Sequence, residues 1–119
     1  MSSSDALASA IEGHRSRNSA LRARFEALRV GLEEPCSVDF HFFAWTQRDA
    51  AVLARALYQK GFLIHLLAPS PCEADADRWS VEGGARIPLE QALSDKLTEE
   101  LVKLAFDESA EFDGWGTDI

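Results

Sequence analysis

From residue 36 onward the hydrophobic periodicity changes in a fixed order, and that order leaves few folds open. Residues 37–45 alternate, with Val38, Phe40, Phe42 and Ala44 on one side and Asp39, His41, Phe43 and Trp45 on the other. Period-two alternation is the signature of a strand with one buried face. Thr46 then opens a helix, with Asp49 three residues later in a capping-box spacing. Ala50, Leu53, Ala54 and Leu57 give that helix its apolar stripe, and Gly61 stops it. Phe62 to Ala68 is a nearly continuous apolar run and reads as a second strand. Pro69-Ser70-Pro71 begins a loop containing Glu73, Asp75 and Asp77. Arg78 to Ile87 reads as a third strand, in which Gly83-Gly84 predicts a bulge or bend. Pro88 to Leu93 predicts an irregular turn or short helix. Ser94 caps a last helix with Leu97, Leu101, Leu104 and Ala105 on one face, and Phe112–Ile119 closes the chain as a fourth strand. The order β-α-β-β-α-β implies an α+β, ferredoxin-like sandwich: an antiparallel sheet with two helices on one face.

A long helix precedes this plan. Leu7, Ile11, His14, Asn18, Leu21, Phe25, Leu28 and Leu32 recur at 4-3-4-3 spacing, which predicts a helix over residues 5–33, stopped by Pro35. Gly13 weakens it by about 1 kcal/mol relative to alanine, so two shorter helices are also open. The division expected is 1–34 as an N-terminal amphipathic helical segment and 36–119 as the ferredoxin-like domain. A heptad seam serves self-association, a partner helix or packing on the chain's own domain, and its spacing does not choose among them. The sheet's second face would carry Asp39, His41, Phe43 and Trp45, with Leu63, His65 and Leu67 from the second strand. That much apolar surface calls for a cover. The N-terminal helix is one candidate, and a second subunit or a protein partner is another.

The tail narrows the reading further. Glu111-Phe112-Asp113-Gly114-Trp115-Gly116-Thr117-Asp118-Ile119 places two glycines around a tryptophan directly after an aromatic-acidic pair. Asp113-Gly114 is a turn signal, and Trp115 has a large apolar surface to place, in the core or against a partner. This string, with the strand Val38–Ala44, the helix holding Leu53 and Leu57, and Lys60-Gly61-Phe62, resembles the RraB family of regulators of ribonuclease E activity. The resemblance covers residues 36–119 and implies the same ferredoxin-like fold. It also implies an inhibitor that docks on ribonuclease E or its degradosome scaffold and modulates RNA degradation. The long acidic C-terminal extension of the enterobacterial members has no counterpart here.

Charge constrains partners independently of any resemblance. The chain of 119 residues carries a formal net charge of −8. Residues 1–34 are balanced, so the whole excess falls on residues 35–119. Such a surface lacks the basic footprint that phosphate binding needs, and the third strand lacks the basic-aromatic pattern of an RNA-binding sheet. Direct nucleic-acid binding is therefore not expected, whereas basic protein partners are. Met1-Ser2-Ser3-Ser4-Asp5 has neither a basic region nor an apolar stretch for targeting. No apolar run approaches the ~20 residues of a membrane span. Cys36 and Cys72 form no CxxC pair, which fits free thiols in a reducing cytoplasm.

Catalytic and metal chemistry find little support in the pattern. His41 and His65 would stand on strands separated by the third strand, too far apart to share a metal ion. Cys36 has Glu33, Glu34 and Asp39 near it in sequence, the wrong surroundings for a thiolate nucleophile. No phosphate-binding loop, dinucleotide motif or nucleophile elbow is present. The expectation is a non-enzyme without cofactor or metal that binds another protein. Asp107, Glu108, Glu111, Asp113 and Asp118 put five acids and no base into the last thirteen residues, beside Trp115. Aromatic anchors with an acidic rim make an interface. The expected contact residues are Glu111, Asp113 and Trp115, then Phe43 and Trp45, with Asp107 and Glu108 alongside. A small self-associating assembly module, joined through the N-terminal helix, is the alternative.

Overall fold

The computed structural model describes residues 3–69 and 78–117. The chain forms α1 (Ser3–Ala27), β1 (Pro35–Ala44), α2 (Gln47–Gln59), β2 (Leu63–Pro69), β3 (Trp79–Pro88), α3 (Leu89–Ala92), α4 (Asp95–Asp107) and β4 (Ala110–Thr117). The four strands make one antiparallel sheet in the order β2-β3-β1-β4. That is the ferredoxin-like arrangement expected from the element order, preceded by the expected helix. Cys72, Glu73, Asp75, Asp77, Asp118 and Ile119 lie outside the described residues.

Local chemistry sets most of the boundaries. The Thr46 hydroxyl accepts a hydrogen bond from the Asp49 amide at 3.0 Å, and Ser94 does the same for Leu97 at 3.2 Å. Each satisfies one of the amides left over at a helix start. Thr46→Ala is expected to cost about 1 kcal/mol of unfolding free energy, read by urea titration with an unchanged m-value. Gly61 ends α2 at φ 101°, with its own amide bonded to the Tyr58 carbonyl and the Phe62 amide to that of Leu57. Phe40, Phe42, Leu53, Leu57, Leu101 and Val102 are fully buried between the sheet and the helices. Phe40 meets Phe62 edge-on at 5.2 Å between ring centres, and Phe42 packs on Phe112 at 5.1 Å.

Four expectations need correction. First, α1 stops at Ala27, not residue 33. Arg29 takes the left-handed conformation at φ 58°, its amide bonds to the Glu26 carbonyl, and the Val30 amide returns to that of Phe25. This is a Schellman stop with arginine where glycine is usual. Leu28 is left exposed, while Leu32 tucks against the core from the connecting segment.

Second, α1 does not cover the open face of the sheet. Its seam lies in the helix layer beside α4, with His14, Asn18 and Phe25 touching β4. His14 Nε2 bonds to the Phe112 carbonyl at 3.0 Å, and Phe25 packs 6.4 Å from the Trp115 ring. Third, Gly83-Gly84 is regular in its pairing with β1, and the extra residue sits opposite, at His65 of β2. A side chain at 84 would collide with the His65 ring. The glycine therefore lets that imidazole lie across β3 and reach Asp39 Oδ1 at 3.3 Å. Fourth, the same bulge shifts the alternation of β2. Leu66 replaces Leu67 on the open face, and Leu67 pairs with core-facing Val81.

Candidate protein-docking site

The tail string works as a bulge followed by an inward-turning tryptophan. The β1–β4 register slips between His41 and Phe42, so that Asp113 is the inserted residue and Gly114 follows at φ 127°. An L-residue adopts that conformation only under strain. Beyond the bulge Trp115 pairs with Phe40, whose side chain is core, so the indole turns to the helix layer. Its Nε1–H donates to Asn18 Oδ1 at 3.0 Å. Asn18 Nδ2 donates to Thr98 Oγ1 at 2.9 Å, and that hydroxyl donates to the Ser94 carbonyl at 2.9 Å. Asn18 and Thr98 are buried, so the polar position in the seam is satisfied by β4 and α4 of its own domain. Arg17, one residue before Asn18, reaches over the β4 edge and donates to the Asp113 carbonyl at 3.2 Å.

With Trp115 facing inward, the other expected contact residues gather around the end of the sheet where β1 leaves and β4 enters. Phe43 is half-buried on the open face, with the Arg78 guanidinium stacked 4.1 Å from its ring centre. Its register partner on β4 is Glu111, which is exposed. Trp45 does not continue the alternation, because β1 ends at Ala44. It turns instead to the helix layer, where it stays 49% exposed. There it lines a groove of about 710 Å³ together with Ala10, Gly13, His14, Phe106 and Glu111. Glu111 thus joins the two aromatic positions. Asp107 and Glu108 end α4 directly after Phe106, and no basic residue occupies the last turn of that helix. Two carboxylates and the negative end of the helix dipole therefore fall at one place. Asp113 is exposed on the bulge.

Phe106 is the residue that sequence reasoning missed. The stripe Leu97, Leu101, Leu104, Ala105 accounts for the buried side of α4 and leaves Phe106 outside it. A large aromatic off the stripe was the available signal, and the structure leaves it 37% exposed. The groove wall from α1 could not be foreseen, because it depends on where that helix docks.

Elsewhere the open face carries two histidine–carboxylate contacts. His41 Nδ1 stands 3.7 Å from Glu82 Oε2, alongside the His65–Asp39 contact. Among the described residues, no group of three or more His, Cys, Asp or Glu side chains is placed to hold a metal ion. Cys36 is half-buried, with its sulfur 3.7 Å from Thr117 Oγ1. Among the described residues, no helix is long and apolar enough to cross a membrane.

A ferredoxin-like sheet backed by three packed helices, with aromatic and acidic side chains collected at one end, places the chain in the class of small α+β domains. Comparison with known families makes the class specific. The model for regulator of ribonuclease activity B, RraB, matches residues 17–117, and the chain belongs to the RraB family. The match begins inside α1, one residue before Asn18, and so takes in the part of the helix that holds Trp115. No curated protein matches the chain. Family members are regulators of ribonuclease activity, which gives the chain a regulatory, protein-binding role in general terms.

Proposed function

We propose that this chain is a non-enzymatic, acidic regulator that docks on ribonuclease E, or on a scaffold segment attached to it, and so modulates RNA degradation in the cytoplasm. The observation that carries the reading is the convergence of Trp45, Phe106 and Glu111 with Asp107 and Glu108 at one end of the sheet. Segments of a ribonuclease that hold RNA must be basic, and a chain of net charge −8 complements them. The contact residues proposed are Glu111, Asp113, Phe43, Trp45, Asp107 and Glu108. Trp115 contributes by fixing β4 on α1 and α4. The alternative, a self-associating module joined through the N-terminal helix, is less favoured because the seam it would use already packs on β4 and α4.

Charge reversal tests the electrostatic part. Glu111→Lys combined with Asp113→Lys is expected to weaken binding to an arginine-rich ribonuclease E segment by about tenfold in low salt. Raised salt should narrow the gap between variant and wild type. Titration of the two proteins by fluorescence anisotropy decides it, and equal affinity at low salt would show that these acids do not contact the partner.

A further inference from the structure

The groove between α1 and the α4–β4 turn is concave, aromatic and apolar at its floor. Trp45 and Phe106 are two large aromatic side chains left exposed in the same depression, over a floor of Val102, Ala110 and Phe112. At about 710 Å³ it lies within the roughly 300–1,000 Å³ of cavities that hold organic groups. Its electrostatics are asymmetric. Glu111 lies in the lining, with Asp107 and Glu108 at the adjoining end of α4. Arg17, the arginine among the described lining residues, is turned to the Asp113 carbonyl.

We propose that this groove is an anchor pocket for a basic amphipathic segment of a partner protein. One apolar side chain of that segment enters between Trp45 and Phe106, and flanking lysine or arginine side chains meet Glu111, Asp107 and Glu108. This rests on the protein-binding reading above and adds to it the location and chemistry of the anchor. A second copy of the chain is a poor occupant, since two molecules of net charge −8 repel. An apolar side chain alone would fill the groove but leave the carboxylates unanswered. A basic segment with one apolar anchor meets both demands, as an amphipathic helix does in a groove. Because α1 forms one wall, the pocket exists only with that helix in place.

Gly13 supplies a clean test. It lines the groove, and a Cβ built there meets nothing within 4 Å. A side chain at 13 therefore starts from open space, so Gly13→Leu is expected to fill part of the pocket, and it replaces a poor helix former by a good one. The probes are two short synthetic helical peptides rich in arginine, one with a central leucine and one with serine in its place. Binding to the full chain is followed by fluorescence anisotropy. Wild type should prefer the leucine peptide by at least about tenfold. Gly13→Leu and Trp45→Ala should each abolish that preference, with the melting temperature of Gly13→Leu equal to or above that of wild type.

Equal binding of the two peptides by wild type, or full discrimination retained in Gly13→Leu, overturns the proposal. Purified ribonuclease E separates the two levels of the claim. If it binds wild type and Gly13→Leu equally, the regulator reading stands and the groove is not the anchor. If it binds neither, the regulator reading falls, and the peptide pair still decides the groove.

Discussion

Removal of residues 1–34 is expected to abolish the cooperative unfolding transition of this chain, rather than to release a folded domain with altered self-association. Leu7, Ala10, Ile11 and Phe25 of α1, with Val30 and Leu32 of the connection, pack against the central core. Half-burial of these side chains contributes on the order of 1 kcal/mol for each large one, or about 5 kcal/mol together. Deletion would also expose Trp115 and the Phe112 edge. Domains of this size are stable by about 5–15 kcal/mol in total, so the loss is comparable to the whole. Far-UV circular dichroism during heating, combined with size-exclusion chromatography, provides the measurement. A sharp transition from a compact 35–119 fragment would show the helix to be a separable module after all.

That expectation changes how the molecule divides. The balanced charge of residues 1–34 against the acidity of the rest suggests an appendage on a domain. Packing argues otherwise: α1 is the third member of the helix layer, and its seam is a tertiary contact. The proposed docking surface follows from the same fact. Trp115 turns inward because the bulge aligns it with core-facing Phe40, and Asn18 accepts its N–H there, which leaves Trp45 and Phe106 as the aromatic surface on that side. Losing α1 would thus remove both the support for β4 and a wall of the groove.

How far the sequence could be read depended on the range of the physics involved. β1, α2 and α4 were legible because alternation, the Thr46 and Ser94 caps and Gly61 act over a few residues. Arg29 in the left-handed region was not, since arginine carries no turn signal. The His65 bulge was foreshadowed by Gly83-Gly84 but assigned to the wrong strand. The glycine marks where a neighbour's ring crosses, not where the extra residue sits. Trp45 was placed by an alternation that ends one residue before it. In the candidate site, Glu111 and Phe43 were foreseeable as strand residues. The α1 wall beside Phe106 required knowing which face of the sheet the first helix chooses.

Asn18 is where that choice is enforced, and substitution there is the sharpest single-residue test. Asn18→Ala is expected to destabilise the protein by about 3 kcal/mol, from a small cavity and from a Trp115 N–H with no acceptor in a half-buried setting. Thr98 suffers less, because its hydroxyl keeps the Ser94 carbonyl as acceptor. Trp115→Phe keeps most of the apolar contact with Phe25 but deletes the donor, leaving Asn18 Oδ1 unanswered in a buried position. Its expected cost is about 2 kcal/mol. The double variant Asn18→Leu with Trp115→Phe removes donor and acceptor together, so neither is left orphaned. It should cost clearly less than the sum of Asn18→Leu and Trp115→Phe measured singly, by about 1–2 kcal/mol of coupling in urea unfolding. Additive losses would mean that the hydrogen bond does not hold α1 on β4, and that the helix stays in place by apolar contact alone.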